Sequence, residues 1–585
     1  MVMANTSPGA QVRWNLNVSL PPASLDPAAL LERCRQFQHQ FHGKVASLEP
    51  AGIAELLNML GDIRVALMHL EALSRLNRAA GQHASSTPES HISPELLVAE
   101  ADELSGFFEL EWARISDERA AALLTSPELA QNRHFLLASR RFAPYLLSED
   151  AEAALSARQV AATEAWVGLY DHVRAQLVGT VGSHRLGTED LLAALRDRRR
   201  DLRGAALDAL LTSLAGAAPI LALAYDALIT DRLALVALRG YPSVRFERDL
   251  DNELDPSIVD GMLAAVEARH GLVQRWFRAK ARHLGVTNLT PADERAPLGL
   301  TRAIRYEEAT RLCVEIHQRL APRLGELVQQ LFVKGHVDAE SRPGKLGGSV
   351  CINVAPTVEP FILLTYANQP ESAATLAHEL GHAIHFQLAA QAQSPLSFDA
   401  PAAVNEVAAN FTELVLWEQL IEAEAHPGRR RALLARRLDT DMDAVFRQVM
   451  LTRFEDTVHA VRAAGEELTP ARLDGLWLEC CRRYYEPAIV IPKSFGSYWA
   501  VIPHFVQGPY YLYSYVFARL VGLRLLKLWR SRPARLAESF LDFLARGGSG
   551  SPAEQLIELG IDLSDEHVWD PAFGEVEAAL NALEA

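Results

Sequence analysis

The amino-acid sequence predicts a mainly α-helical protein with one small β-sheet, and two patterns carry this prediction. Apolar residues recur at helical spacing through most of the 585 residues. A single region, residues 347–367, has the β-branched and aromatic runs, bounded by Gly and Pro, that are typical of strands. The composition favours a globular fold with a large core, since 49% of the residues are hydrophobic and 22% are charged.

The first half of the chain is predicted to consist of helices. The first one follows Asp26, a favourable cap, and Pro27, which fits the first helical position. The uncharged run from Ala209 to Tyr225 is shorter than a bilayer span and contains Gly and Pro, so it predicts a buried pair of helices. Residues 80–93 are polar, as expected of a surface linker. Helices are predicted over residues 26–41, 51–80, 94–124, 148–178, 186–230, 255–284 and 305–333.

Two apolar runs after these helices predict the small sheet. They read GGSVCINVAP (347–356) and EPFILLTYA (359–367), and we expect them to pair directly before the next helix. Helical periodicity then resumes. The remaining helices are predicted over residues 371–391, 403–422, 428–462, 470–484 and 509–545.

The net charge and the cysteine content limit which kinds of partner and which cellular compartment we expect. The net charge of −16 argues against nucleic acid as the main partner, because a phosphate backbone requires a basic surface. The five cysteines are few and odd in number, and the N-terminal residues lack a signal-peptide pattern. We therefore expect a cytoplasmic protein with free thiols and no membrane partner, and the oligomeric state stays open. The basic run RDRRRDLR (196–203) contains two aspartates and is interpreted as a solvated helix face.

The predicted helix at residues 371–391 contains the sequence TLAHELGHAIHF. His378 and His382 are four residues apart, so they lie on one face and can bind a single metal ion through their imidazoles. Glu379 lies at the edge of that face, where it can reach a water on the metal without being a ligand. This is the H-E-x-x-H pattern of zinc hydrolases. Gly381 would let another backbone approach closely.

His385 is a third histidine of the same stretch. It lies seven residues after His378, about 10.5 Å along the helix axis, so it cannot easily complete the same tetrahedron. The alternative pattern with a third histidine on an extended motif requires histidine at position 388, where this chain has Leu388. His385 is therefore predicted to pack or hydrogen-bond beside the site.

The third metal ligand must come from elsewhere in the chain. The stretch VNEVAANFTEL (404–414) offers Glu406 and Glu413 on one helical face. Glu406 lies 24 residues after His382, enough for the helix to end, turn and return. Glu413, two turns farther, would suit orienting a ligand imidazole through its free N–H. The spacing alone leaves both glutamates as candidates.

The sequence around this motif resembles the M3 family of zinc metallopeptidases, and its oligoendopeptidase F branch most of all. The matching residues are GKLGGSVCINVAPTVEPFILLTYANQPESAATLAHELGHAIHF followed by NEVAANFTE. The resemblance covers most of the chain, since further blocks follow in the expected order. These blocks are RWNLNVSL (13–20), LLSEDAEAAL (146–155), LRGYPSV (238–244), AKARHLGV (279–286) and IPHFVQGPYYLYSY (502–515).

The resemblance implies a large helical zincin-type fold of the gluzincin group. A small sheet would lie beside the active-site helix, and two helical halves would flank a deep channel. The chain would divide into an N-terminal helical region, residues 1–180, and a catalytic region, residues 181–585. The resemblance also implies one Zn²⁺ per chain and hydrolysis of internal bonds in short, unstructured peptides.

Transferred residue by residue, the family pattern assigns His378, His382 and Glu406 as zinc ligands. Glu379 would be the general base and acid, and Glu413 matches a carboxylate that supports a ligand.

The family pattern also assigns a C-terminal substrate-binding segment, residues 499–520. His504 and Tyr515 are expected to hydrogen-bond the substrate and the oxyanion. The spacing between His504 and the tyrosines is one residue longer than usual, so Tyr510 and Tyr511 stay as alternatives. At least two tyrosines of this stretch are expected to serve packing alone.

Two further expectations follow from the same resemblance. Ala409 and Asn410 stand where Ser and Thr are usual, a departure that should matter little. An extended peptide is expected to add to the edge of the first strand, with Gly347, Gly348 and Ser349 as contacts.

Overall fold

The computed structural model describes residues 13–14, 26–79, 94–342, 345 and 347–585. The predicted linker at residues 80–93 and most of the block at 13–20 lie outside these residues. The mainly helical prediction is confirmed, although most long predicted helices are divided. The α-helices are Pro27–Phe41, Pro50–Ala79, Pro94–Ser105, Phe107–Arg114, Asp117–Leu124, Arg133–Arg140, Glu149–Gln159, Ala165–Gln176, Thr188–Ala194, Arg200–Arg239, Phe246–Asp251, Pro256–Ala268, Gly271–Leu284, Tyr306–Leu320, Pro322–Lys334, Pro370–Ala392, Ala402–Ala423, Pro427–Asp441, Gln448–Ala463, Pro470–Tyr485, His504–Gln507, Leu512–Ser531, Pro533–Arg546, Pro552–Glu558 and Asp570–Glu584.

The helix boundaries follow local sequence chemistry. Proline occupies the first turn of many helices, where its missing N–H costs nothing. The first helix is capped by the Asp26 carboxylate, which accepts from the backbone N–H of Ala28 at 2.9 Å. Two segments, Val160–Glu164 and Met442–Arg447, are π-helical and join α-helices on both sides. Such wide turns re-aim the side chains that follow them.

The sheet predicted before the motif helix is present. In chain order the strands are β1 (Val178–Val181), β2 (His184–Gly187), β3 (Val337–Asp338), β4 (Ser349–Ile352) and β5 (Phe361–Leu364). The last three form a sheet of order β3-β5-β4, in which β5 is parallel to β3 and antiparallel to β4. All four residues of β5 are buried. β4 therefore lies at an edge of this sheet.

Two expectations for the middle of the chain are wrong. The hairpin of β1 and β2 was not expected, because only one strand region is visible in the sequence. The predicted helix pair around residues 209–225 is a single helix, Arg200–Arg239, which continues through Pro219. By length and composition this helix could also span a membrane, and 44% of its most apolar window is buried in the structure. A single helix of this kind among the described residues is weak evidence for a membrane span.

The basic run at residues 196–203 is only partly solvated. Arg203 is 1% exposed, and its Nη2 lies 2.7 Å from the buried carboxylate of Asp293. Arg200 binds the same carboxylate at 2.7 Å. The interpretation as a solvated face is therefore wrong for Arg203, whose partner aspartate lies 90 residues away in the sequence. Arg200 is exposed, as expected, although it binds the same aspartate.

The described residues group into two compact units, and the chain alternates between them. Unit 1 comprises residues 1–149, 302–419 and 528–561, and unit 2 comprises residues 150–301, 420–527 and 562–585. Unit 1 contains the sheet of β3, β4 and β5, and unit 2 contains the β1–β2 hairpin. The functional boundary predicted at residue 180 and the channel stay predictions.

Candidate metal centre

Two consecutive helices carry the candidate metal ligands. The motif helix (Pro370–Ala392) contains the HELGH sequence, and the return helix (Ala402–Ala423) contains the two candidate glutamates. The predictions of 371–391 and 403–422 differ from these bounds by one residue at each end. The loop between the helices is pinned by Asn405, whose side-chain amide donates to Asp399 Oδ1 at 3.0 Å and to Ala400 O at 2.7 Å.

The helices approach each other closely at Gly381. A Cβ there would lie 2.5 Å from Thr412 Oγ1, 2.6 Å from Ala409 Cα and 2.8 Å from Ala408 O. The Thr412 hydroxyl donates across this contact to the carbonyl of Ala377 at 2.9 Å. Only glycine permits this approach, which agrees with the role expected from the sequence.

Three of the predicted ligands are brought together by this packing. His378, His382 and Glu406 each offer a ligand atom, and the three atoms lie within 4.8 Å of one another. Nε2 of His378 and Nε2 of His382 lie 3.6 and 3.7 Å from Oε2 of Glu406. Two ligands of a tetrahedral zinc ion lie about 3.4 Å apart, given bonds of about 2.1 Å. The spacing therefore fits a single metal ion.

Both imidazoles are oriented by contacts behind them. Glu413 Oε2 lies 3.4 Å from Nδ1 of His378, the nitrogen that faces away from the third ligand. The indole N–H of Trp417 donates to the other oxygen of Glu413 at 3.2 Å. The ring of His382 hydrogen-bonds to the backbone of Asn405. Such contacts fix which nitrogen of each ring is available to a metal.

The surroundings of the histidines are strongly negative. Burial lowers the pKa of His378, but the carboxylates of Glu413, Glu406 and Glu379 outweigh burial and raise this pKa to about 9. Carboxylates that favour a proton at this position would equally favour a divalent cation. The pKa of His382 falls well below its usual value, because of burial and the neighbouring His378, so this ring is uncharged and could offer a nitrogen to a metal.

Glu379 is buried beside the ligands and faces the sheet. It is 4% exposed, and burial raises the pKa of its carboxyl group. Three groups oppose this rise: the positive charge of His378, the side chain of Ser349 and the backbone of Cys351. The hydrogen bonds from β4 favour the ionised carboxylate and hold it in one place.

Two glycines expected to contact a peptide directly precede the edge strand next to Glu379. Gly348 has a φ of 84°, a left-handed conformation that glycine adopts without strain, and leads into Ser349. Ser349 is exposed and pairs in register with Leu364 of β5, its one strand partner among the described residues. Gly347 precedes this turn, and the peptide-contact role of all three residues stays a prediction.

His385 lies outside the group of ligands. It is 1% exposed and stacks on Phe543, with ring centroids 5.8 Å apart. Neither of its ring nitrogens has a hydrogen-bond partner among the described residues, and burial lowers its pKa to about 4. Of the two predicted roles for His385, the structure therefore shows packing beside the site and not hydrogen bonding.

In unit 2, the C-terminal segment places three predicted residues side by side. Nε2 of His504 lies 3.4 Å from the hydroxyl of Tyr515, and the ring of Tyr511 packs 5.2 Å from that of Tyr515. Tyr510 differs, since it is 2% exposed and packs against His459. Tyr513 is fully buried. Tyr511 and Tyr515 are thus the two tyrosines of this stretch that are partly exposed beside His504.

Sequence reasoning missed several supporting residues. Trp417 has a local signal, because it lies four residues after Glu413 on the same helix. Thr412 and Asn405 act through contacts that sequence spacing does not show. The hydrogen bond between Ser349 and Glu379 joins a strand to a helix 30 residues away, so no periodicity predicts it.

Comparisons with known proteins agree with this geometry. A family model described as peptidase family M3 matches residues 324–575, which include all the candidate metal ligands. A second model, described as oligopeptidase F, matches residues 111–178. The chain belongs to peptidase family M3. The large helical zincin-type fold expected for this M3 chain is thereby confirmed.

Individual relatives resemble the M3 chain over much of its length. It is 29% identical over 350 residues to an oligoendopeptidase F homolog of Lactococcus lactis, covering 59% of this chain and 58% of that protein. It is 25% identical over 525 residues to the oligopeptidase PepF of Bacillus subtilis, covering 87% and 75%. The crystal structure of oligoendopeptidase-F from Enterococcus faecium shares the fold, with a TM-score of 0.73, 20% identity and coverage of 95% and 97%. The M3 chain thus spans 58% of the length of the Lactococcus relative.

Proposed function

We propose that this M3 chain is a zinc-dependent endopeptidase that hydrolyses internal bonds of short, unstructured peptides. The convergence of His378, His382 and Glu406 with ligand atoms within 4.8 Å carries this proposal. Two imidazoles and one carboxylate are a donor set typical of catalytic zinc. A zinc ion at these residues would supply Lewis acidity, which activates water and polarises the scissile carbonyl.

Side chains of the protein would then transfer the protons and stabilise the negative charge of the intermediate. Glu379, held by Ser349 and the backbone of Cys351, would accept a proton from the attacking water and deliver it to the leaving amine. His504 and Tyr515, 3.4 Å apart, offer donors for the oxyanion of the tetrahedral intermediate. Burial and the charge of Arg447 lower the pKa of His504, so this imidazole is neutral at pH 7.

Substrate selection would rest on the backbone rather than on side chains. The outer edge of β4, which no other described strand covers, can pair with an extended peptide through main-chain hydrogen bonds, which favours unstructured substrates. We also propose a cytoplasmic location, supported by five cysteines that are all free, four of them buried. The acidic charge supports peptides rather than nucleic acid as the partner.

The test combines metal analysis with product analysis. Purified protein is expected to contain one zinc per chain and to cleave a peptide blocked at both ends, with fragments identified by mass spectrometry. Chelation should abolish cleavage, and zinc should restore it. Cleavage that requires a free terminus would instead indicate an exopeptidase, and cleavage insensitive to chelation would contradict the metal mechanism.

A further inference from the structure

A buried lysine holds one end of the sheet in unit 1. The side chain of Lys345 is 2% exposed. Its ammonium group donates to the backbone carbonyls of Asp338, Glu340 and Leu364 at 3.0, 2.8 and 2.7 Å, and to the carboxylate of Asp338 at 2.8 Å. Asp338 ends β3 and Leu364 ends β5, so this one group joins the ends of two strands.

The ammonium group lies where the pairing of β3 with β5 stops. The register of these strands ends at Asp338 and Leu363, and Leu364 is one residue beyond it. The carbonyl of Leu364 accepts from Lys345 at that point. Leu364 is also the residue of β5 that pairs with Ser349, the first residue of β4. Lys345 and the start of β4 are thus tied to the same residue of the central strand.

The chain between Lys345 and β4 is short and rich in glycine. Three residues separate Lys345 from Ser349, and two of them are Gly347 and Gly348. Four residue steps span at most about 14 Å, so the anchoring of Lys345 limits the positions that β4 can take. Gly348 has a φ of 84°, and a Cβ there would meet no atom within 4 Å. Because glycine has unusual conformational freedom, this turn keeps one conformation only while both of its ends are held.

The carboxylate that binds Lys345 has a second cation. Asp338 accepts from Nη1 and Nη2 of Arg342 at 2.7 and 2.8 Å. Removal of the Lys345 ammonium would therefore leave Asp338 paired, and an isolated buried charge, which is strongly destabilising, would not arise. A neutral residue at position 345 removes the links to Glu340 and Leu364 while this ion pair remains.

The position of β4 bears directly on the proposed site. β4 packs against the motif helix, and its outer edge is where a peptide is proposed to pair. We propose that Lys345 is a positioning residue, which fixes the glycine turn and the start of β4 for main-chain hydrogen bonds with a peptide substrate. Hydrogen bonds weaken steeply when they are misaligned, so a strand that could shift would pair weakly. This inference rests on the proposed peptidase function, because it assigns the residue that positions the peptide-binding strand.

The experiment compares a cleavable peptide with esters of the same sequence. In each ester, oxygen replaces one backbone N–H outside the cleaved bond, so that one donor is lost. For the wild-type zinc enzyme, KM is expected to be about tenfold higher for at least one ester than for the parent peptide, with similar kcat. Lys345→Met should raise KM of the parent peptide to the value of this ester and leave KM of the ester nearly unchanged.

Two controls separate positioning from stability. Lys334→Met makes the same chemical change at an exposed lysine of unit 1, which pairs with Glu359, and should leave all KM values at wild-type levels. Leu123→Ala removes a buried side chain from a separate core cluster of unit 1. It should lower the thermal midpoint and keep the difference between parent peptide and ester. Lys345→Gln should reproduce the effect of Lys345→Met, and failure of both variants to fold would overturn the positioning role in favour of a structural one.

Amide hydrogen exchange measures the effect on β4 without turnover. In Lys345→Met, the amides of residues 347–352 are expected to exchange about tenfold faster than in the wild-type protein, while those of the motif helix keep their rates. Equal KM for the parent peptide and all esters in the wild-type enzyme would overturn the proposal. An equal rise of KM for parent peptide and ester in Lys345→Met, or unchanged exchange at 347–352, would do so as well. Faster exchange at 347–352 in a protein that cleaves no peptide would count against the peptidase function alone.

Discussion

Among single residues, the Glu379 carboxylate lies beside the candidate metal ligands rather than among them, as the proposed proton-transfer role requires. Ser349 and the backbone of Cys351 hold it, and it is absent from the group of ligand atoms. Glu379→Gln is expected to lower kcat by about 10³-fold, because the amide cannot accept a proton. Zinc content should be unchanged. A fluorogenic peptide assay with metal analysis measures both quantities, and Glu326→Gln, exposed on another helix, is the control. Native turnover in Glu379→Gln would reject the general-base assignment.

Replacing either glutamate of the return helix should affect zinc binding to a different extent. Glu406 faces both Nε2 atoms of the histidines, so Glu406→Ala is expected to lose zinc. Glu413 faces the rear of His378, so Glu413→Ala should retain zinc with an affinity about 10–100-fold weaker. Competition with a chelator of known affinity measures both. Stoichiometric zinc in Glu406→Ala would indicate that Glu413 or His385 is the third ligand.

Two of the candidate metal ligands can be proposed from the sequence because their spacing encodes their geometry. His378 and His382 share a face through helical periodicity alone. Glu406 required the family resemblance, since spacing also allowed Glu413. The hydrogen bond of Ser349 and the stacking of His385 on Phe543 join distant parts of the chain. No local pattern specifies contacts of that kind.

Among the secondary-structure elements, the close packing of the motif helix and the return helix at Gly381 sets the distance between the candidate ligands. Gly381→Ala would press a methyl group against Thr412 and the backbone of Ala409, at distances that real Cβ atoms do not show. Overpacking of this kind costs about 1–3 kcal/mol. The helices should separate, so both the thermal midpoint and the zinc affinity are expected to fall. Calorimetry and chelator competition test this. Gly475→Ala is the control, because a Cβ at this helical position meets open space and should stabilise the helix slightly.

The turn before the helix Leu512–Ser531 depends on a buried carboxyl group. Tyr510 has a φ of 58°, and its N–H donates at 2.8 Å to Glu455, which is fully buried. Burial raises the pKa of Glu455 to about 8; the Tyr510 N–H, Arg232 and Arg248 oppose the rise, and Asp456 adds to it. A raised carboxyl pKa means that the folded state binds the extra proton. The contribution of protonated Glu455 to stability is therefore complete below about pH 4.5 and is lost as the pH rises through about 8.

Glu455→Gln tests this linkage, because its amide oxygen can still accept from Tyr510. Between pH 5 and pH 8.5, the free energy of unfolding of the wild-type protein should fall more steeply than that of the variant, by about 3 kcal/mol. Thermal midpoints at matched pH values give the comparison. Parallel curves for the two proteins would show that Glu455 does not titrate in this range.

The element predictions succeeded where periodicity is long and failed where it is short. The motif helix and return helix were predicted to within one residue at each end. The strands β1 and β2 have four residues each, too few to establish alternation. The helix Arg200–Arg239 continues through Pro219 because tertiary packing outweighs the lost hydrogen bond. Local propensity does not contain that information.

The whole molecule is built from interleaved segments, which no sequence pattern indicates. Each compact unit draws on three separate stretches of chain. The helices Ala402–Ala423 and Leu512–Ser531 each include residues of both units. Contact between distant segments decides such a division, whereas the sequence shows only neighbours along the chain. The boundary predicted at residue 180 was drawn from family resemblance and stays a prediction about function.

Interleaving leads to an expectation about unfolding. Because helices continue from one unit into the other, neither unit can unfold without disrupting the chain of its neighbour, so a single calorimetric transition is expected. A zinc ion that binds only the folded protein would stabilise it by about 4 kcal/mol when its concentration exceeds the dissociation constant a thousandfold. For a protein of this size the midpoint should then fall by about 3 °C on chelation. Scanning calorimetry with and without chelator measures the shift, and Glu406→Ala should show none. Two transitions, of which only one moves, would mean that the units unfold independently despite their shared helices.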